Sequence, residues 1–230
     1  VDLRLVQERG HKFTAEWEFK HDKSVISVVP FVQRIQNFSM LTPVGTETTI
    51  RGAFPVWQYQ QVHAQLWGFD LIWHQKITKN GQWKNQVSWL EGTDLDKNQP
   101  LIDMPPLVWK QQITWQKTNW QNLELSLLTE TVFTQKRFPN NNFEALVPQN
   151  GEIVPVWVNI SQPPRGYHLW QLNGHVTWET KRLGIDKGNL KTGIVIENLW
   201  NTSYRDYLNR MRFYADDLGR NWLVYVQLNF

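Results

Sequence analysis

Apolar and polar residues alternate with a period of two through most of this chain. Phe13, Ala15, Trp17 and Phe19 alternate with Thr14, Glu16, Glu18 and Lys20, and Trp67, Phe69, Leu71 and Trp73 alternate with Gly68, Asp70, Ile72 and His74. Past an Asn80-Gly81 pair suited to a tight hairpin, Trp83, Val87 and Trp89 oppose Lys84, Gln86 and Ser88. The pattern recurs in Leu107, Trp109, Ile113 and Trp115, in Leu123, Leu125 and Leu127, and in Trp170, Leu172, Val176 and Trp178. Successive side chains of a strand point to opposite faces, so the sequence predicts an all-β chain whose strands each carry one apolar and one polar face. From the phase, Trp17, Trp67, Phe69, Trp73, Leu125, Trp170, Val226 and Phe230 belong to the outer face of a curved sheet. Glu18, Asp70, Gln86, Glu124, Asn173 and Gln227 belong to the concave one. A slip of one residue would invert a whole strand.

The connections alternate in length. Those at Lys79-Asn80-Gly81, Lys117-Thr118-Asn119 and residues 184–189 are short, whereas 34–55 and 139–164 are long and rich in Pro, Asn and Gly. Short turns at one end and long loops at the other are a mark of outer-membrane barrels. The aromatic content, 14 Trp beside 6 Tyr and 11 Phe, points the same way. Trp83, Trp120 and Trp178 fall beside short turns, and Trp57, Trp109, Trp170, Trp200 and Trp222 toward the long-loop ends. Such rings gather at the two membrane–water interfaces, so two belts indicate a membrane wall and one cluster would indicate a soluble core. A mean hydropathy of -0.50 is compatible with strands that alternate lipid-facing and lumen-facing residues, and no stretch reaches the ~20 apolar residues of a spanning helix. The predicted fold is an antiparallel up-and-down transmembrane β-barrel, present as an incomplete, open sheet of about nine strands that begins with residues 1–7. Its first and last strands run the same way and so cannot close an antiparallel barrel on each other.

The final residues, Trp222-Leu223-Val224-Tyr225-Val226-Gln227-Leu228-Asn229-Phe230, alternate and end on an aromatic. This resembles the signal by which the barrel-assembly machinery recognises outer-membrane proteins. Upstream, Glu197-Asn198-Leu199-Trp200-Asn201-Thr202-Ser203-Tyr204 and then Gly219-Arg220-Asn221 resemble the ending of TonB-dependent receptors. Leu66-Trp67-Gly68-Phe69-Asp70-Leu71 and Pro100-Leu101-Ile102-Asp103-Met104-Pro105-Pro106 are similar to two further stretches of that family. The resemblance implies that residues 1–230 are the C-terminal part of a receptor barrel of about 22 strands, without the plug and the N-terminal strands. It also implies energised uptake of a scarce nutrient across the bacterial outer membrane, an iron complex such as a siderophore or haem foremost. The implied partners are the TonB complex, through the missing N-terminal part, outer-membrane lipid, the barrel-assembly machinery through Phe230, and a small-molecule ligand such as a metal chelate. No initiator Met or secretory signal opens the chain at Val1, which suggests a processed or cut start.

Other chemistry is sparse. The 24 basic and 21 acidic residues are spread along the chain without the basic stripe of a nucleic-acid binder. With no Cys, thiolate catalysis and Cys-based zinc sites are out. The His63/His74 and His168/His175 pairs fit no metal-ligand motif, and an odd separation puts His168 and His175 on opposite faces of a strand. Glu124, Glu130, Glu179 and Glu197 stand beside no nucleophile arrangement, and Ser126, Ser161 and Ser203 carry no motif, so no enzymatic activity and no cofactor are expected. Residues 204–221 are the best candidate for ligand contact. Arg205, Arg210 and Arg212 with Tyr207, Phe213 and Tyr214 suit an anionic, partly aromatic ligand. A packed helical cap, with Tyr204, Leu208, Met211 and Leu218 inward, suits the same spacing. Trp157, Arg165 and His168 are further candidates. The rival reading is a soluble Trp-rich β-sandwich that binds carbohydrate.

Overall fold

The computed structural model describes residues 5–49, 52–117, 122–158, 160–179 and 188–229. In chain order the strands are β1 (Arg9–Thr14), β2 (Trp17–His21), β3 (Ser24–Thr49), β4 (Gly52–Lys76), β5 (Gly81–Asp94), β6 (Gln99–Pro100), β7 (Val108–Lys117), β8 (Leu123–Val132), β9 (Phe143–Gln149), β10 (Glu152–Val158), β11 (Tyr167–Glu179), β12 (Asn189–Glu197) and β13 (Asn221–Asn229). Every pairing is antiparallel. The main sheet follows β1-β3-β4-β5-β7-β8-β11-β12-β13, and β9 with β10 makes a separate ribbon. β2 pairs with β3 alongside β1, so the two are one interrupted strand, and β6 clips the tip of β5. Among the described residues this gives nine positions in the wall, as the alternation predicts. The first position and β13 run the same way, and among the described residues neither has a strand on its outer side.

Directly paired residues of antiparallel strands share a face, so the register itself tests the predicted faces. One row runs Trp17, Val28, Leu71, Val87, Trp109. Another runs Trp115, Leu125, Gly174, Ile194, Val224. On the opposite face Gln82, Thr114, Ser126 and Asn173 line up. Followed across the whole wall, the pairings put Trp17, Trp67, Phe69, Trp73, Leu125, Trp170 and Val226 together on one face, and Glu18, Asp70, Gln86, Glu124, Asn173 and Gln227 on the other. Phe230 lies outside the described residues. The apolar face is the open one, with Trp67, Trp109, Ile113, Trp115, Leu125 and Leu172 exposed, whereas Thr114 and Ser126 on the polar face are buried.

Two belts bound the apolar face. Toward the short turns Trp73 meets Trp83 with ring centroids 5.1 Å apart, and toward the long-loop end Trp67 meets Trp89 at 4.6 Å. Trp67 and Trp73 are six positions apart on β4, about 20 Å along a strand, the scale of the apolar band of an outer-membrane barrel. Two of the expected belt members fall elsewhere: Trp57 pairs with Pro43 on an extension of the β3–β4 hairpin, and Trp200 is exposed in the connection after β12. Trp120 lies outside the described residues.

Three expectations about connections are corrected. Residues 34–49 and 52–55 are not loop: β3 and β4 continue through them as a ribbon, with bulges between Ile35/Phe38 and Pro43/Gly45. The bulges accommodate Asn37, at φ 57, and Pro43, while Pro55 pairs regularly with Thr46. Residues 139–164 contain the β9–β10 ribbon. Residues 5–7 are not part of the first strand, since residues 5–8 have no strand structure and the first described strand begins at Arg9; residues 1–4 lie outside the described residues. Residues 118–121 and 180–187, the other two short turns, lie outside the described residues.

Among the described residues, the compact apolar core lies on the polar face at the long-loop end. Met40, Val62, Ala64 and Leu101 are buried there, with Phe38, Leu66, Ile102 and Met104 packed around them. Leu101 comes from the connection 95–107, which turns inward across the wall. Gly92 lets it: a Cβ there would sit 2.5 Å from Met104 Sδ and 2.8 Å from Leu101 Cδ1. Full burial of a Leu side chain stabilises by roughly 1.5–3 kcal/mol. No second large sheet stacks on the wall among the described residues, which removes the sandwich.

Candidate functional site

The connection 198–220 folds back over the polar face and is built from side-chain to backbone hydrogen bonds. Asn198, buried and at φ 46, donates from Nδ2 to the Thr202 carbonyl at 2.8 Å and to the Leu218 carbonyl at 3.3 Å, and its Oδ1 accepts from Thr202 N at 2.8 Å. Asn201 Oδ1 accepts from Arg220 N at 2.8 Å. Asp217 accepts from Asp206 N and Asn209 Nδ2, each at 2.7 Å. Asp206 in turn takes Tyr167 Oη at 2.8 Å and Leu208 N at 2.7 Å, which ties the loop to β11. The expected helical cap reduces to a single 3-10 turn, Arg210–Phe213, N-capped by Asn209. Aspartates, rather than an apolar helix face, hold the rest.

The arginines have three different settings. Arg205 donates to Asp216 at 2.6 Å and to the Arg212 carbonyl at 2.7 Å. Ser203 Oγ also donates to Asp216; that bond first, and then Arg205, holds the Asp216 carboxyl below its ordinary range. Arg210 lies 3.5 Å from Asp103 and stacks over Trp57 at 4.6 Å. Arg212 is only 7% exposed. Its guanidinium lies over Tyr207 at 4.4 Å and Phe213 at 4.7 Å, and burial lowers its pKa. Burial likewise raises the Tyr207 phenol. Tyr214 points to solvent.

The structure does not gather all of the sequence candidates in one place. Trp157 is exposed on β10, on the ribbon face that the register shares with Leu146 and Ile153. Arg165 is exposed just before β11. His168 shares the outward face with Trp170, against which its ring stands at 5.5 Å, and bonds Thr131 Oγ1 at 2.7 Å. His175 lies on the polar face opposite Glu124, as the odd separation requires. His63 pairs with Asp96 at 2.9 Å and not with His74. Glu124, Glu130 and Glu197 take Gln116, Lys110 and Asn221 as partners. Sequence reasoning missed the cavity of about 240 Å³ beneath the loop, walled by Leu128, Glu130, Leu169, Gln171, Glu197 and Tyr204. It also missed Asp103 and Asp206 as anchors. The available signal was the run of aspartates in 206–217, which invites local capping.

A family profile described as TonB dependent receptor-like, beta-barrel matches residues 4–199. No curated protein sequence matches the chain. Among solved structures it resembles the copper transporter OprC, with a TM-score of 0.72 and 16% identity over 97% of this chain and 31% of that one. A variant of the ferric enterobactin receptor PfeA from Pseudomonas aeruginosa gives 0.62 and 16%, over 96% and 31%. The FrpB iron transporter from Neisseria meningitidis gives 0.60 and 16%, over 96% and 30%. The likeness is one of fold, and the chain spans about a third of the length of these structures.

Proposed function

From the premise that the chain belongs to the TonB-dependent receptor-like β-barrel family, we propose that residues 1–230 are the C-terminal part of the wall of an outer-membrane receptor. That receptor takes up a scarce nutrient, an iron complex such as a siderophore or haem, with energy from the TonB complex. The observation that carries this reading is the apolar outward face with its two tryptophan belts, a surface suited to lipid. The names of the similar structures support the nutrient class, since they are a copper transporter, an iron transporter and a ferric enterobactin receptor. In this reading the TonB complex engages a part of the receptor outside this chain, and Phe230 is the mark for barrel assembly. The wall and its loops bind and pass the ligand without catalysing a reaction.

Ligand contact falls to the long-loop end. Arg205, Arg210 and Tyr214 present charge and a ring at the surface, and Trp157 and Arg165 extend that surface; of the other two candidates, Arg212 is buried beneath it and His168 stands on the apolar, lipid-facing side. The test is growth of a strain deleted for the gene, supplied in turn with ferric siderophores, haem and copper as sole sources of the metal. The expected outcome is a growth defect on one iron complex, restored by the intact gene. Equal growth on every iron complex contradicts the nutrient assignment, and recovery of the protein without detergent contradicts the membrane assignment.

A further inference from the structure

Neutral polar side chains interrupt the outward face of the wall at one place. The pairings put Trp73, Asn85, Gln111, Thr129 and Trp170 in one row across β4, β5, β7, β8 and β11. Trp73 and Trp170 belong to the outward face, so the three residues between them do too. On β5, Asn85 stands two positions from Trp83 and four from Trp89, and on β7, Gln111 stands two from Trp109 and four from Trp115. At about 3.3 Å per residue both amides lie about 7 Å inward of the nearer ring, within the apolar band. No outward position of β5, β7 or β8 between residues 83–89, 109–115 and 125–131 is charged.

Lipid serves these groups badly. Asn85 is 5% exposed and its Nδ2 has no hydrogen-bond partner, nor has Thr129 Oγ1. Gln111, half-buried between them, is the member of the row open to the outside. The two amides cannot satisfy each other completely, since each carries two N–H donors and an acceptor oxygen. Hydrocarbon offers neither donor nor acceptor, so an unmatched amide there costs free energy. We propose that this row is the centre of an interface at which a second copy of the receptor docks, wall against wall, within the membrane. Two copies that share one membrane orientation are related by a two-fold axis along the membrane normal, and a residue beside that axis meets its own counterpart at the same depth. A carboxamide complements itself, so Gln111 placed there donates through Nε2 and accepts through Oε1 across the axis. A charged partner segment would bring a desolvation cost that this neutral row does nothing to offset, which favours a second copy. Trp109, Ile113 and Trp115, exposed on the same strand, supply the apolar contact around it. The proposal rests on the membrane reading of the outward face and not on the nutrient.

The test uses the intact receptor, purified alone and inserted in phosphatidylcholine vesicles, each molecule carrying one fluorophore. Photobleaching steps of single particles give the dimer fraction over a series of protein-to-lipid ratios. Wild type is expected to form dimers. Gln111→Leu keeps the bulk and suits lipid, so it is expected to insert as wild type does and to associate about tenfold more weakly. Gln111→Asn restores a carboxamide and is expected to recover part of that loss. Under mild oxidation Gln111→Cys is expected to form a disulfide between copies, and Leu172→Cys, exposed on the same face two strands away, is not. A monomeric wild type at every ratio, a Gln111→Leu variant that dimerises as wild type does, or cross-linking at residue 172 and not at 111 overturns the proposal. Recovery of the receptor without detergent overturns the membrane reading and the interface with it, whereas insertion as a monomer overturns the interface alone.

Discussion

The wall of this molecule and the connections at its long-loop end are built by different physics. In the wall, backbone ladders of nine antiparallel positions carry the structure, and a side chain matters chiefly through the face it occupies. In the connections 95–107, 133–142 and 198–220, backbone ladders are nearly absent. Asn198, Asp206, Asp216 and Asp217 each bond neighbouring backbone or side-chain groups, and the three connections touch through Gln135, Arg210 and Arg212. A wall of this kind tolerates exchange within a polarity class and not across it. Connections of this kind depend on individual polar atoms, and losing one exposes the next.

Substitutions in the two regions break that contrast open. The largest effect is expected from Leu125→Arg, a charge on the outward face, which should destabilise the inserted wall by about 2–4 kcal/mol; Gln171→Arg on the polar face should stay within about 0.5 kcal/mol. Urea-dependent unfolding in lipid vesicles measures both. Asn198→Ala removes three hydrogen bonds at a positive-φ position and should cost about 1–3 kcal/mol in local opening of 198–220. Amide exchange should report this with the strand amides unchanged. Gly92→Ala should cost about 1–3 kcal/mol through overpacking against Met104 and Leu101, read as loss of protection at 95–107. The smallest effect is pH-dependent. Because Asp216 is held below its ordinary value of 3.8, its contribution is present above that pH and lost as pH falls through its lower folded value. Protection factors in 203–216, which correct for the intrinsic pH dependence of amide exchange, should therefore hold well above pH 3.8 and fall progressively as pH drops through and below that value.

The same contrast explains how much was legible in the sequence. Polarity with a period of two is a direct record of faces, so Trp67, Phe69, Asp70 and Glu124 fell where the phase put them. Gly68 was legible as part of a motif, and the structure supplies its reason: a Cβ there would sit 2.1 Å from the Trp89 carbonyl oxygen. The ribbon through 34–55 was missed because Pro43, Gly45 and Pro55 read as loop residues, although bulges and a hairpin extension accept them. The arginine loop was visible as a cluster of charge, but not the division of labour within it. Whether Arg212 faces water or a buried junction depends on Ile160 and Asp103, far away in sequence, and no local pattern carries that information.

The central claim, that the apolar face meets lipid and the polar face does not, is most directly tested on β8. The chain contains no cysteine, so single cysteines at residues 123–132 can each carry a spin label in lipid vesicles. Accessibility to dissolved oxygen and to a water-soluble nickel complex is then compared position by position. The account predicts a period of two, with labels at 125 and 127 favouring oxygen and labels at 124, 126 and 128 favouring nickel. Inverted phase, or nickel accessibility at every position, would contradict it.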